Sequence, residues 1–215
     1  MNVPTPTRIF RITDIDNLKT ILMHKGIYAP NFFPKDGSSY RCIHNPDIQN
    51  KRLVRKIPCG IGGVVHDYAA FYFGSRSPML LQLHTGQVPG YTSEQAQIIY
   101  LTSTVQRVKI EDVKFVFSDG HGNAKFTQWF DNVSDLSKVD WDAVKAKYWR
   151  DTPDDMDRQR RKQAEFLIHK FCSWDLIENI GVFNQQAKLD VESIFSEFPE
   201  NYHRPVKMRR DWYYD

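Results

Sequence analysis

The chain has 215 residues, 41% hydrophobic and 13% aromatic, with 26% charged residues and a net charge of +3. That supports one sizeable core with aromatic side chains left over, and a basic balance too mild to name a partner by itself. No apolar run approaches the ~18 residues of a membrane-spanning helix, the stretch Met1-Asn2-Val3-Pro4-Thr5 lacks an export pattern, and three scattered cysteines, Cys42, Cys59 and Cys172, fit a reducing cytoplasm.

Residues 7–13 alternate weakly through Ile9, Phe10 and Ile12 and predict a first strand. Asp14 or Asp16 can cap a helix running to about His24, with Leu18, Ile21 and Leu22 on one face and Gly26 as its stop. Residues 30–63 are rich in Pro, Gly, Ser and Asn. A stretch of that length inside a compact domain predicts a binding or covering loop, here with a short helix over 47–55. Residues 69–73, AAFYF, predict a buried strand. Ser77-Pro78 predicts a helix start, with Met79, Leu80, Leu81 and Leu83 as the apolar face.

Strands are expected over 98–105 and 114–118, followed by a turn at Asp119-Gly120-His121-Gly122-Asn123. A helix over 140–150 puts Trp141, Val144 and Tyr148 on one face and is broken by residues 151–155. A basic helix over 156–163 leads into a strand over 166–171, with Glu165 at its amino-terminal edge. Segments 174–177 and 180–183 follow, residues 185–195 are helical, and residues 199–215 read as an arm outside the core. Strands and helices without regular alternation predict an α+β class, as one domain over residues 1–215.

Several signals are absent. There is no GxxxxGK[ST] phosphate loop, no GxGxxG spacing at Gly60-Ile61-Gly62-Gly63, and no HExxH or Cys/His pattern for a metal. His169 and Cys172 on one strand would face opposite sides, which argues against a Cys–His nucleophile. His66 and Asp67, being adjacent, read as a strand-entry turn.

Four cations fall within residues 158–162 (Arg158, Arg160, Arg161, Lys162), four within 51–56, and three lie beside Trp212, Tyr213 and Tyr214. Such pairings suit phosphates and stacked bases, or an ordinary solvated face. Arg11 is the odd charge in an apolar strand, so it needs an anionic partner: a ligand phosphate or an aspartate. His121 sits between glycines, where a ligand can approach closely. Glu165, between basic and apolar runs, can steady a positive charge developing on a sugar; the plain alternative is a helix-end Glu balancing nearby arginines.

Four blocks in order then resemble a known family: residues 12–18 (ITDIDNL), residues 62–73 (GGVVHDYAAFYF) continuing through Arg76-Ser77-Pro78-Met79-Leu80, residues 115–121 (FVFSDGH), and Gln163-Ala164-Glu165. Together they are similar to the DarT family, DNA ADP-ribosyltransferase toxins of DarT–DarG toxin–antitoxin systems, over about residues 8–195. The aromatic tail resembles the thymidine-modifying branch.

The resemblance implies an ADP-ribosyltransferase fold, a split twisted β core around a NAD⁺ cleft. It implies transfer of ADP-ribose from NAD⁺ to thymidine of single-stranded DNA, with nicotinamide released, no metal, and a DarG antitoxin whose macrodomain removes the mark. It also implies residue roles. Glu165 and Arg52 match the catalytic glutamate and arginine, with Lys51 the neighbouring choice. Tyr72 matches the aromatic strand that stacks nicotinamide, and Thr13 and Asn17 the motif lining the NAD⁺ pocket. His121 matches the turn near the acceptor base, and Arg11 stands where many members have His. DNA recognition is expected from His121, Arg76, Lys51, Arg158, Arg160 and Arg161. A monomer is expected. The competing readings are the same fold acting on guanosine or RNA, an RNA 2′-phosphotransferase, and a non-catalytic nucleic-acid-binding module.

Overall fold

A computed structural model describes residues 2–215. The expected first strand is β1, Arg8–Asp14. It leads into α1, Asn17–Met23, which buries Leu18, Ile21 and Leu22 as the spacing predicts. Neither aspartate caps α1 through its side chain: Asp14 accepts instead from the Asp16 N–H and the Tyr91 hydroxyl. Nor does Gly26 supply the left-handed stop. Lys25 does so, at φ 57°, and Gly26 opens β2, Gly26–Tyr28. There a Cβ would sit 2.3 Å from the Cys172 carbonyl oxygen, so the glycine serves close strand packing.

Within the long loop, α2 spans Pro46–Val54, with Asn45 accepting from the Asp47 N–H. Next come β3, Tyr68–Tyr72, and α3, Pro78–His84, whose Ser77 side chain accepts from the Leu80 N–H as predicted. Then follow β4, Ile98–Thr104; α4, Val105–Ile110; β5, Phe115–Ser118; and β6, Trp129–Phe130.

The expected helix over 140–150 is cut to α5, Trp141–Lys145. Its last carbonyls are taken by the Lys162 ammonium, at 2.7 Å from Val144 O and 3.0 Å from Ala146 O, and Tyr148 lies exposed beyond it. The basic helix is α6, Arg158–Lys162, and β7 begins at Glu165 itself, running Glu165–His169. Lys170, at φ 62°, breaks the strand, so Cys172 belongs to a separate β8, Phe171–Ser173. The rest is β9, Asn179–Val182; α7, Gln185–Phe195; and β10, Val206–Met208.

Eight strands form one mixed sheet in the order β10-β9-β4-β1-β3-β7-β5-β6, and β2 pairs with β8 beside it. One face buries Ile9, Phe71, Phe73, Phe117 and Phe166 with residues of α1 and α7. The other buries Phe10, Leu80, Leu83, Tyr100, Trp212 and Tyr213. This corrects the expected carboxy-terminal arm. β10 joins the sheet parallel to β9, Tyr213 is fully buried, and its hydroxyl donates to Ile98 O at 2.8 Å. Two large aromatics gain more from burial than a floating tail would, and Gly181 makes the room for Trp212. Among the described residues no helix is long and apolar enough to cross a membrane.

Candidate active site

The sheet is split where β1 meets β3. Those strands share one registered pair, Phe10 opposite Tyr72, whereas β3 and β7 pair along their whole length, ending with Tyr72 opposite Glu165. Residues directly opposite in an antiparallel pair project to the same face, so the register delivers both side chains to one place. A cleft of about 370 Å³ opens there, bounded by Arg11, His44, Arg52, Tyr72, His121 and Glu165. Cavities that hold small ligands are of this order.

Glu165 is 2% exposed. It is met by Arg52, from the short helix predicted in the loop, with Nη1 3.0 Å from Oε1 and Nη2 2.7 Å from Oε2. This is a fork-on-carboxylate contact of the strong bidentate kind. The Gly122 N–H adds a third donor, 2.9 Å from Oε1. The Glu165 N–H itself donates to Ser118 Oγ, which in turn donates to Gly120 O, so the strand start is tied to the glycine turn.

Burial opposes ionisation of Glu165, but Arg52 and the Gly122 N–H outweigh it and hold the carboxyl below its usual range. Burial likewise opposes the Arg52 charge and Glu165 restores it. The result is an ionised buried pair. A carboxylate accepts about four hydrogen bonds and three are filled here, which leaves Oε2 able to accept from a hydroxyl.

The other charges in the cleft are of one sign. Arg11 finds no aspartate: its Nη1 donates to Ala70 O at 3.0 Å across the split, and its Nε is buried without a partner among the described residues. Burial lowers its affinity for the proton, so an anionic ligand is what this guanidinium lacks. His44 is pushed down to about 3 by burial, Arg11 and Arg52. Burial also lowers His121 and His66; His66 Nε2 lies 3.0 Å from Gln49 Oε1. The cleft therefore presents neutral imidazoles and cationic guanidinia. Burial, with Glu165 nearby, keeps the Tyr72 hydroxyl protonated.

Of the residues singled out from sequence, Glu165, Arg52, Tyr72, Arg11 and His121 line this cleft. Thr13 and Asn17 do not. They bond to each other at 3.1 Å, and Asn17 clamps the backbone of Arg41 on both sides; their polar groups thus hold the covering loop down. Lys51 is exposed on α2 beside Arg52.

The basic helix mostly faces inward. Arg160 reaches Asp119 at 2.8 Å and Asp157 at 2.7 Å, Arg161 pairs with Asp140 and Asp155, and Lys162 is buried. Arg158 carries no ion pair among the described residues. Arg76 adopts φ 53°, and its carbonyl accepts from the Tyr214 hydroxyl at 2.6 Å; it sits next to the cleft residues Pro78 and Met79.

Sequence reasoning missed His44, Gln49, Met79 and Gln82, and set His66 aside, although all five line the cleft. Only His44 carried a usable signal: an imidazole in a Pro/Asn-rich loop, just before the helix that bears Arg52.

The comparisons agree with this geometry. A DNA ADP-ribosyl transferase of Thermus sp. (strain 2.9) is 41% identical over 211 residues, covering 98% of both chains. The structure of Thermus sp. 2.9 DarT in complex with ADP-ribosylated ssDNA superposes at a TM-score of 0.92 with 39% identity, covering 100% of this chain and 99% of that one. The same protein in complex with NAD⁺ gives 0.87 at 38% identity, covering 99% and 100%. The model of the ssDNA thymidine ADP-ribosyltransferase family, DarT, matches residues 10–214, and this chain belongs to that family.

Proposed function

We propose that this chain transfers ADP-ribose from NAD⁺ to the N3 of thymidine in single-stranded DNA and releases nicotinamide. The observation that carries the reading is the buried Arg52–Glu165 pair, facing Tyr72 and Arg11, whose buried Nε has no partner among the described residues, in one cleft. NAD⁺ fits this donor set. Arg11 supplies the cation its pyrophosphate needs, Tyr72 an aromatic face for the pyridine ring, and Glu165 Oε2 an acceptor for a ribose hydroxyl.

In the reaction the bond from ribose C1′ to the nicotinamide nitrogen breaks, and its electron pair leaves with neutral nicotinamide. Positive charge builds on the sugar as in glycoside cleavage. The carboxylate of Glu165 stabilises that charge more than it stabilises the ground state, which is what accelerates a reaction. Thymine N3 then bonds to C1′ and gives its proton up to solvent water. Arg52, hydrogen-bonded directly to both Glu165 oxygens, favours the ionised base and fixes the carboxylate. His121 lies beside them as a neutral imidazole that can bond the incoming base. Taking an already unpaired base avoids an unstacking cost of a few kcal/mol.

A DarG-type macrodomain antitoxin and a cytoplasmic setting complete the reading. The test is a thymidine-containing oligonucleotide incubated with NAD⁺ and read by mass and by nicotinamide release. An ADP-ribose adduct on thymidine is expected. Adducts confined to guanosine or RNA, or no adduct, would overturn the proposal.

A further inference from the structure

Arg55 lies one residue past α2, three after Arg52, and takes no part in the functional reading so far. Its side chain turns toward the glycine turn: Nε donates to Gly122 O at 3.1 Å and Nη2 to Ala124 O at 3.0 Å. Its own carbonyl accepts from the Val65 N–H at 2.9 Å, so the residue is anchored from behind. A second tie runs the same way, from Asn123 Nδ2 to Ile48 O at 3.3 Å. Gly122 is therefore held on two sides, its carbonyl by Arg55 and its N–H by Glu165 Oε1.

We propose that Arg55 is a positioning residue that locks the 121–124 turn onto α2, keeping the Gly122 N–H aimed at Glu165 and His121 in the cleft. The argument rests on connectivity. Helix α2 delivers Arg52 to one side of the carboxylate, and the turn delivers Gly122 to the other. Besides the shared carboxylate, the hydrogen bonds that join them directly are those of Arg55 and the longer Asn123–Ile48 bond, and the turn belongs to a segment of the chain nearly seventy residues on. A guanidinium is suited to the task, since its rigid planar fork can bond two carbonyls at once where an ammonium would reach one. With two of its N–H groups engaged on backbone carbonyls, Arg55 is not oriented as a free phosphate ligand.

The inference rests on the proposed transferase reading, and its test separates the two. Arg55→Met keeps the length of the stem and removes the donors; Arg55→Lys restores one. Hydrogen exchange of the 120–125 segment needs no turnover and is expected to quicken in Arg55→Met. In the oligonucleotide assay, kcat is expected to fall roughly tenfold, while KM for NAD⁺ and for DNA stays within about threefold. The acid limb of the kcat profile is expected to move to higher pH, because the carboxylate loses an aligned N–H donor. Arg55→Lys is expected to recover part of both.

Unchanged exchange with unchanged kcat would overturn the inference. So would a loss confined to DNA KM with a flatter salt dependence, which would make Arg55 a phosphate contact. If Arg55→Met does not fold, Arg55→Lys decides, and wild-type exchange and kcat in that variant would overturn the inference. A wild-type chain that makes no adduct would instead sink the transferase reading and leave the exchange result standing.

Discussion

Glu165→Gln tests the centre of the site with the smallest change of shape. The amide keeps one oxygen for Gly122 and Arg52 Nη1, but turns an N–H₂ toward Arg52 Nη2, which now faces the carboxylate at 2.7 Å. Two consequences follow, and they are read separately. The first is kinetic. A unit charge about 5 Å from a forming cation, at an effective dielectric of about 20, is worth about 3 kcal/mol, or roughly two orders of magnitude in rate.

The second is structural. Removing one partner of a buried pair costs about 3–5 kcal/mol, since Arg52 is 9% exposed and finds no other carboxylate among the described residues. For a chain of this size that lowers the melting midpoint by roughly 6–20 °C. Single-turnover transfer to a thymidine oligonucleotide, run well below the midpoint, isolates the first effect, and a melt measures the second. Adding Arg52→Met removes the stranded charge, so the double variant is expected to melt nearer wild type while staying inactive. If Glu165→Gln kept turnover within about tenfold of wild type, the charge would not be acting on the sugar and the reasoning would fail.

The basic helix divides by partner. Arg158→Ala is expected to weaken DNA binding and reduce its salt slope by about one counterion. Arg160→Ala, which breaks pairs to Asp119 and Asp157, is expected to lower the melting point and leave the slope nearly unchanged; the reverse pattern in a salt titration would reverse the assignment. His44 is neutral in the fold, held down to about 3 by burial and by Arg11 and Arg52, while the unfolded ring titrates near ~6.5. Its contribution is thus complete above ~6.5 and is lost as pH falls toward 3. His44→Gln should flatten the melting temperature over that window, and an unaltered slope would count against it. Gly181→Ala would put a Cβ 2.3 Å from the Trp212 ring. A destabilisation of about 1–3 kcal/mol is expected in a denaturant melt, and a neutral result would mean that the carboxy-terminal aromatics pack elsewhere.

What the linear order of residues determined here was local. The apolar run over residues 69–73, the Ser77–Pro78 helix start and the glycine turn at 119–123 depend on neighbours a few positions away, and each forms within a residue of where expected. The four quoted blocks pointed to the family for the same reason: each is a contiguous run. What tertiary structure decided was pairing over distance. Arg52 and Glu165 stand 113 positions apart, and only the antiparallel register of β3 with β7, together with the seating of α2, brings them to bonding distance.

The inward turn of Arg160 and Arg161, the burial of Trp212 and Tyr213, and the use of Thr13 and Asn17 as loop anchors have the same origin. A cation-rich or aromatic run is compatible with either solvent or interior. Which one it meets depends on the carboxylates and carbonyls that the sheet carries to it from elsewhere in the chain, and no local pattern encodes that.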